Sequence, residues 1–245
     1  MSKFSVILAA AGKSSRFKDK HYKKPFIRLD QKAVWLYSAE RFLNRDDVCQ
    51  LILVIAKEDS EEFMTMFGPN IAIMGVEVVA GGAERADSVA NALAKVSDEA
   101  DFVAIHDAAR PCITDEEIEQ VFVAATKSGA AILATPVTST LKSVTDGKIN
   151  ETVSREGKWL AQTPQAFSKV DLINAYKNRG DHNPTDEAEL MEKAGIQVAV
   201  VEGSSLNIKL TTKADLRLAK AILKSMPAPK LDAPAHPFGD DTLWR

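Results

Sequence analysis

Between Lys13 and Arg28 the chain carries seven basic residues (Lys13, Arg16, Lys18, Lys20, Lys23, Lys24, Arg28) against one acid, Asp19. Such a run is either a solvated basic loop or a surface built to meet an anion. The residues before it bear on the choice. Ala9, Ala10, Ala11 and Gly12 are small enough to let backbone N–H groups approach a phosphate, Ser14 follows, and Arg16 and Lys24 can neutralise the charge. Two familiar phosphate loops fail the test. Ile7 stands where GxxxxGK[ST] requires glycine, and GxGxxG is absent, so ATPase and dehydrogenase chemistry find no support.

A second cluster is Val103-Ala104-Ile105-His106-Asp107-Ala108-Ala109-Arg110-Pro111. A carboxylate at the end of a strand, followed by small residues, suits a hard cation such as Mg²⁺, which takes one or two carboxylates plus substrate phosphates. Asp107 is therefore a candidate metal ligand; by spacing alone, an ion pair with Arg110 explains it equally well. His106 reads as a hydrogen-bonded structural histidine rather than a base. No HExxH, histidine cluster or GxSxG is present, so zinc hydrolysis and triad chemistry are not indicated. In Gly81-Gly82-Ala83-Glu84-Arg85-Ala86-Asp87-Ser88, two glycines before a helix could admit a flat base, with Ser88 as a hydrogen-bonding partner; a plain tight turn fits the same letters. Lys209, just beyond an apolar run, could bring a further cation to the same place.

These residues need a frame. Six apolar runs of strand length recur: Phe4–Ala10, Leu51–Ala56, Val76–Ala80, Phe102–Asp107, Ala130–Val137 and Val198–Gly203. They lack period-two alternation, as strands buried on both faces do, and this predicts an α/β fold with a mostly parallel sheet. Helical patterns lie between, at Val34–Leu43, Ser60–Met66, Arg85–Lys95, Asp115–Lys127, Lys169–Tyr176, Asp186–Lys193 and Ala214–Lys224. Thr114 and Glu117 are spaced as a capping box; Thr185-Asp186 and Thr212 are further helix starts. In a parallel sheet, loops at the strands' carboxyl ends line the binding crevice, where the first two clusters would fall.

The composition agrees. With 245 residues, 45% apolar and 27% charged, the chain can bury a full core. A net charge of −3 argues against a nucleic-acid binder. No apolar run approaches the ~20 residues of a spanning helix, and the opening segment passes from a strand pattern straight into a polar loop, so the chain reads as cytoplasmic with no membrane partner. Cys49 and Cys112 form no CxxC pair and read as reduced thiols in or near the core. Residues 1–226 read as a single domain. Within it, the segment from about 138 to 163 alternates polar and apolar residues around Asp146-Gly147, a β-hairpin arm with little core of its own. Residues 227–245 hold four of the ten prolines and read as a flexible tail.

In order and spacing, AAAGKSSRF with KKPF, GGAERADSV, HDAARP, TLK, TVSR, LAQTPQAF, TDEAELMEKAG and NIKLTT resemble the 2-C-methyl-D-erythritol 4-phosphate cytidylyltransferase family of the non-mevalonate isoprenoid pathway, from about Phe4 to Leu223. The resemblance implies a Rossmann-like nucleotidyltransferase domain, a homodimer through the protruding β-arm, a Mg²⁺ requirement, and transfer of CMP from CTP to a polyol phosphate. It assigns Ala10, Ala11, Gly12 and Ser14 to the triphosphate loop. Arg16 and Lys24 become the pair that stabilises the five-coordinate α-phosphate. Gly82, Ala83, Arg85 and Ser88, with Asp107 and Ala108, fall in the nucleotide site. Asp107 stands near metal and acceptor, and Lys209 at the reacting phosphates. Thr140 and Arg155 lie on the arm that reaches the other subunit's acceptor site, and Thr163 and Thr185 are acceptor contacts within one subunit.

The chain departs from the family pattern at two positions: Ser14 replaces a common glycine, and Ala83 a common polar residue. Lys18–Lys23 and the tail carry no role in the resemblance, and no cyclase domain follows. A cytidylyltransferase for another polyol phosphate, such as ribitol 5-phosphate, shares most of these motifs. A nucleotide-binding sensor without turnover is the alternative outside enzymes.

Overall fold

The computed structural model describes residues 1–12 and 26–226. In chain order these form β1 (Phe4–Ala9), β2 (Arg28–Leu29), β3 (Lys32–Ala33), α1 (Val34–Leu43), β4 (Val48–Ile55), α2 (Ser60–Met74), β5 (Glu77–Ala80), α3 (Arg85–Leu93) and β6 (Phe102–Asp107). Then follow α4 (Asp115–Ser128), β7 (Ala130–Pro136), β8 (Leu141–Thr145), β9 (Lys148–Val153), β10 (Trp159–Ser168), α5 (Lys169–Lys177), α6 (Glu187–Lys193), β11 (Ala199–Glu202) and α7 (Lys213–Ser225).

Seven strands make one sheet in the order β11-β7-β10-β6-β1-β4-β5. Four of its pairings are parallel, and β10 runs antiparallel to both neighbours. Every predicted apolar run became one of these strands. Their continuous apolarity is explained by burial on two faces. Val6, Leu8, Leu51, Leu53 and Ala104 face one core with Phe42, Phe63 and Phe122. Ile7, Ile52, Val54, Val103 and Ile105 face the other, with Val89, Leu172 and Met191. Burying a large aliphatic or aromatic side chain is worth roughly 1.5–3 kcal/mol, and the sheet does this on both sides.

The structure corrects the sequence reading at three places. The arm does not run on to Thr163. Its hairpin, β8–β9, ends at Val153, and Trp159–Ser168 is an interior strand between β6 and β7. Gln162, Thr163, Pro164 and Gln165 break the apolar pattern there, yet their polar groups find partners inside: Gln165 donates to Asp186 (2.9 Å) and accepts from the Ala188 N–H (3.2 Å). Helix α2 runs eight residues beyond Met66 despite Pro69, because Phe63, Phe67 and Ile71 lie one turn apart and bury on one side. The short β2–β3 ladder was not expected from the pattern at all.

Elsewhere local chemistry acts as its letters say. Thr114 accepts from the Glu117 N–H (3.1 Å) while Glu117 accepts from that of Thr114 (3.1 Å), and Thr212 and Asp215 repeat the device. Asp146 and Gly147 both have positive φ (51° and 75°), the two-residue turn that matches hairpin twist. Cys49 and Cys112 are free. The tail, 227–245, lies outside the described residues.

Candidate active site

The carboxyl ends of β1, β4, β5 and β6 open into a crevice of about 300 Å³. Ala9 to Gly12 come from β1, Gly82 to Arg85 with Ser88 from the β5–α3 turn, and Asp107 to Ala109 from β6; Lys209 closes it from the loop before α7. Ala10, Ala11, Gly12, Gly82, Ala83, Arg85, Ser88, Asp107, Ala108 and Lys209 are thus brought to one place. Ser14, Arg16 and Lys24 lie outside the described residues. Thr140, Arg155 and Thr185 are exposed and do not line this crevice.

The glycines of the β5–α3 turn are required by close approach. A Cβ on Gly81 would stand 2.6 Å from that of Ala11, and one on Gly82 would collide with Asp87. The Gly82 N–H donates to Ser88 Oγ, whose own proton goes to the Glu84 carbonyl, both at 3.0 Å, so the turn and helix start hold each other.

Asp107 is the electrostatic centre. Lys209 Nζ lies 2.8 Å from its Oδ2 and Arg110 Nε 3.4 Å from the same oxygen. Burial alone would raise the carboxyl, but Lys209, then Arg85 and Arg110, hold it well below the usual carboxylate range. Of the two readings that spacing left open, the ion pair with Arg110 is present, and Asp107 also meets a lysine from 102 positions away.

The surrounding shell is closed and polar. Thr163 Oγ1 accepts the Asp107 N–H (3.0 Å) and lies 3.1 Å from His106 Nδ1, while His106 Nε2 lies 3.2 Å from the Arg110 carbonyl. That carbonyl can only accept, so Nε2 carries the proton and Nδ1 takes that of Thr163. Burial lowers His106 to about 4, against the attraction of Asp107, so the ring is neutral near pH 7. His106 is hydrogen-bonded structure, as read from the sequence. Thr163 is buried in this network. Arg110 Nη1 also donates to the Asn207 carbonyl (2.7 Å), and Asn207 Nδ2 to the Thr163 carbonyl (2.9 Å). With Leu210 N–H on the Ala109 carbonyl (2.8 Å), this fixes the loop that carries Lys209.

Sequence reasoning missed Asn207 as a brace and Glu187 as a partner of the crevice. Glu187, fully buried at the start of α6, binds Arg85 at both Nη1 (2.7 Å) and Nη2 (2.8 Å) and accepts from Tyr176 Oη (3.0 Å). An acid at a helix start reads as a dipole feature, and no local pattern signals a partner 102 positions away. On the arm, Arg155 donates to the Thr138 carbonyl at the neck of the hairpin. Thr185 donates through its N–H and hydroxyl to Glu189 (2.8 and 2.9 Å).

Residues 4–225 match the family model described as 2-C-methyl-D-erythritol 4-phosphate cytidylyltransferase. A protein of that name from Rhodopirellula baltica is 39% identical over 230 residues, 89% of this chain and 94% of its own. Another, from Bacillus licheniformis, is 39% identical over 224 residues, covering 91% and 96%. Among solved structures, a 4-diphosphocytidyl-2C-methyl-D-erythritol synthase from Anaerococcus prevotii superposes with a TM-score of 0.77 at 26% identity, covering 91% of this chain and 99% of that one. The 2-C-methyl-D-erythritol 4-phosphate cytidylyltransferase of Thermus thermophilus gives 0.74 at 28%, covering 91% and 100%.

Proposed function

The chain belongs to the 2-C-methyl-D-erythritol 4-phosphate cytidylyltransferase family, and we propose that the crevice above Asp107 is where it transfers CMP from CTP to 2-C-methyl-D-erythritol 4-phosphate. The products are 4-diphosphocytidyl-2-C-methyl-D-erythritol and pyrophosphate. The observation that carries the reading is Lys209 held against Asp107 beside the small-residue turns after β1 and β5, inside a chain that matches the family along 4–225.

The acceptor's phosphate oxygen is already anionic near neutral pH and attacks the α-phosphorus of CTP without a general base. The new P–O bond forms as the bond to the β-phosphate oxygen breaks, and pyrophosphate leaves with those electrons. Repulsion between two polyanions is the obstacle, so catalysis rests on positioning and on fixed positive charge. Lys209, oriented by Asp107, supplies one such charge; Arg16 and Lys24, from the basic segment, supply the others. Ala10, Ala11, Gly12 and Ser14 hold the triphosphate, and Gly82, Ala83, Arg85, Ser88 and Ala108 the nucleoside.

Asp107 fits a divalent cation. Its carboxylate lines the crevice beside the small-residue turns after β1 and β5, which suits an ion that takes one carboxylate plus substrate phosphates. Bound there, Mg²⁺ would supply further charge neutralisation on the phosphate oxygens. Thr163 and Thr185 contact the acceptor within the subunit. Thr140 and Arg155 act from the arm of a second copy, so the homodimer completes each site. Residues 1–226 form the catalytic domain. No described helix is long and apolar enough to cross a membrane, and the enzyme works in the cytoplasm on small soluble substrates.

The test is pyrophosphate release from CTP and Mg²⁺ with a panel of acceptors. Release with 2-C-methyl-D-erythritol 4-phosphate and not with ribitol 5-phosphate is expected. The opposite preference would overturn the substrate, and no release with any acceptor would overturn transfer itself.

A further inference from the structure

We infer that Glu187 is a positioning residue that aims the Arg85 guanidinium into the nucleotide side of the crevice. The inference rests on the cytidylyl-transfer reading of that crevice. Arg85 is the first residue of α3, and its side chain, 29% exposed, lines the crevice beside Gly82 and Ser88. Glu187 has no exposed surface. Its carboxylate takes one N–H from each terminal nitrogen of Arg85 and the Tyr176 hydroxyl besides. Of the five guanidinium N–H groups three remain, in a plane that the fork-to-fork contact fixes. A second crossing pair, Arg179 to Asp87 at 2.7 Å, ties the same helical turn to the segment after α5, so the start of α3 is held by two ion pairs.

Burying a carboxylate is a poor route to stability, since its desolvation offsets most of what the ion pair returns. What the pair does supply is direction. Held by Glu187, Arg85 acts as an oriented set of donors toward the base and ribose.

The experiment is titration calorimetry of CTP with the full chain, alongside KM and kcat from pyrophosphate release. Glu187→Gln keeps the size and an acceptor for Tyr176 but turns one contact with Arg85 into donor against donor. CTP Kd and KM should rise roughly 10-fold or more, the loss of about one charge-assisted hydrogen bond. The KM for the acceptor phosphate should stay within about twofold. Arg85→Lys, which preserves the charge opposite Glu187 and so protects against misfolding, should weaken CTP by a like factor because the fork is gone; restoring an arginine reverses it. A merely structural Glu187 would lower the fraction of folded chain without changing the Kd of what is folded. A CTP Kd within twofold of the parent in either variant overturns the inference. Because Kd requires no turnover, a parent chain that binds CTP yet releases no pyrophosphate would sink the transfer reading and leave this comparison standing.

Discussion

The crevice and the hairpin arm sit on one chain and are built from opposite materials. Around Asp107 the polar groups are buried and tied to one another: His106 to Thr163 and Arg110, Arg110 to Asn207, Asn207 back to Thr163. The β8–β9 ladder is formed by its own two strands, and two of its apolar side chains are open, Val144 at 55% and Ile149 at 64%. A side chain inside a closed polar network has its direction set by the chain that carries it. Thr140 and Arg155, exposed on the arm, are aimed by nothing comparable. On the proposed function, the contrast separates what one copy would do alone, holding nucleotide and charge, from what a second copy would complete.

The largest effect should come from the crevice. On the proposed function Lys209→Ala removes a preorganised donor at the reacting phosphates, and such losses cost ~10²–10³-fold in kcat, about 2.7–4 kcal/mol. Arg16→Ala and Lys24→Ala should fall in the same range. Steady-state pyrophosphate release, with thermal unfolding as the check on the fold, gives the answer. A near-normal kcat for Lys209→Ala would mean that its contact with Asp107 is only structural, and the distinction between the two regions would lose its catalytic half.

A pH titration sharpens the same contrast. Burial lowers His106 to about 4 from 6.5. Below 6.5 the unfolded chain therefore takes a proton that the folded chain refuses. This part of the stability is full above 6.5, declines as pH falls, and is gone near 4; its whole extent is on the order of 3 kcal/mol. Denaturant unfolding at pH 7 and at pH 4.5 measures it, and His106→Asn should remove that slope while lowering stability at pH 7. Equal slopes in the two proteins would show that the shell around Asp107 tolerates a charged ring.

Which parts of this arrangement were legible in the sequence follows from the range of the interactions. The strands were, because two-sided burial leaves an unbroken apolar run in each. The loop residues Gly82, Asp107 and Lys209 were legible by residue type and position at strand ends. Strand β10 was hidden, because Gln162, Thr163 and Gln165 satisfy their polar groups inside the protein, and an apolar pattern cannot register polar residues with buried partners. Glu187 was hidden for a related reason. Its charge is answered by Arg85, brought near by folding, so the letters around it describe only a helix start. Asn207 likewise bonds across 44 positions to Thr163. Short-range chemistry is written locally, whereas a brace between distant elements leaves no local mark.

The smallest effect belongs to the arm, and its smallness is informative. Ile149→Ser, alone or with Val144→Ser, removes apolar surface that this chain leaves in solvent. Measured at a concentration where the chain is monomeric, unfolding free energy should change by no more than about 0.5 kcal/mol, the usual range for surface positions. On the proposed function, in which this arm joins two copies, the same variants should shift sedimentation toward monomer and lower turnover most at dilute enzyme. A loss well above 1 kcal/mol in the monomer would place the hairpin against its own domain. It would then be part of the frame, Arg155 would act within its own subunit, and the division of labour between the two regions would have to be redrawn.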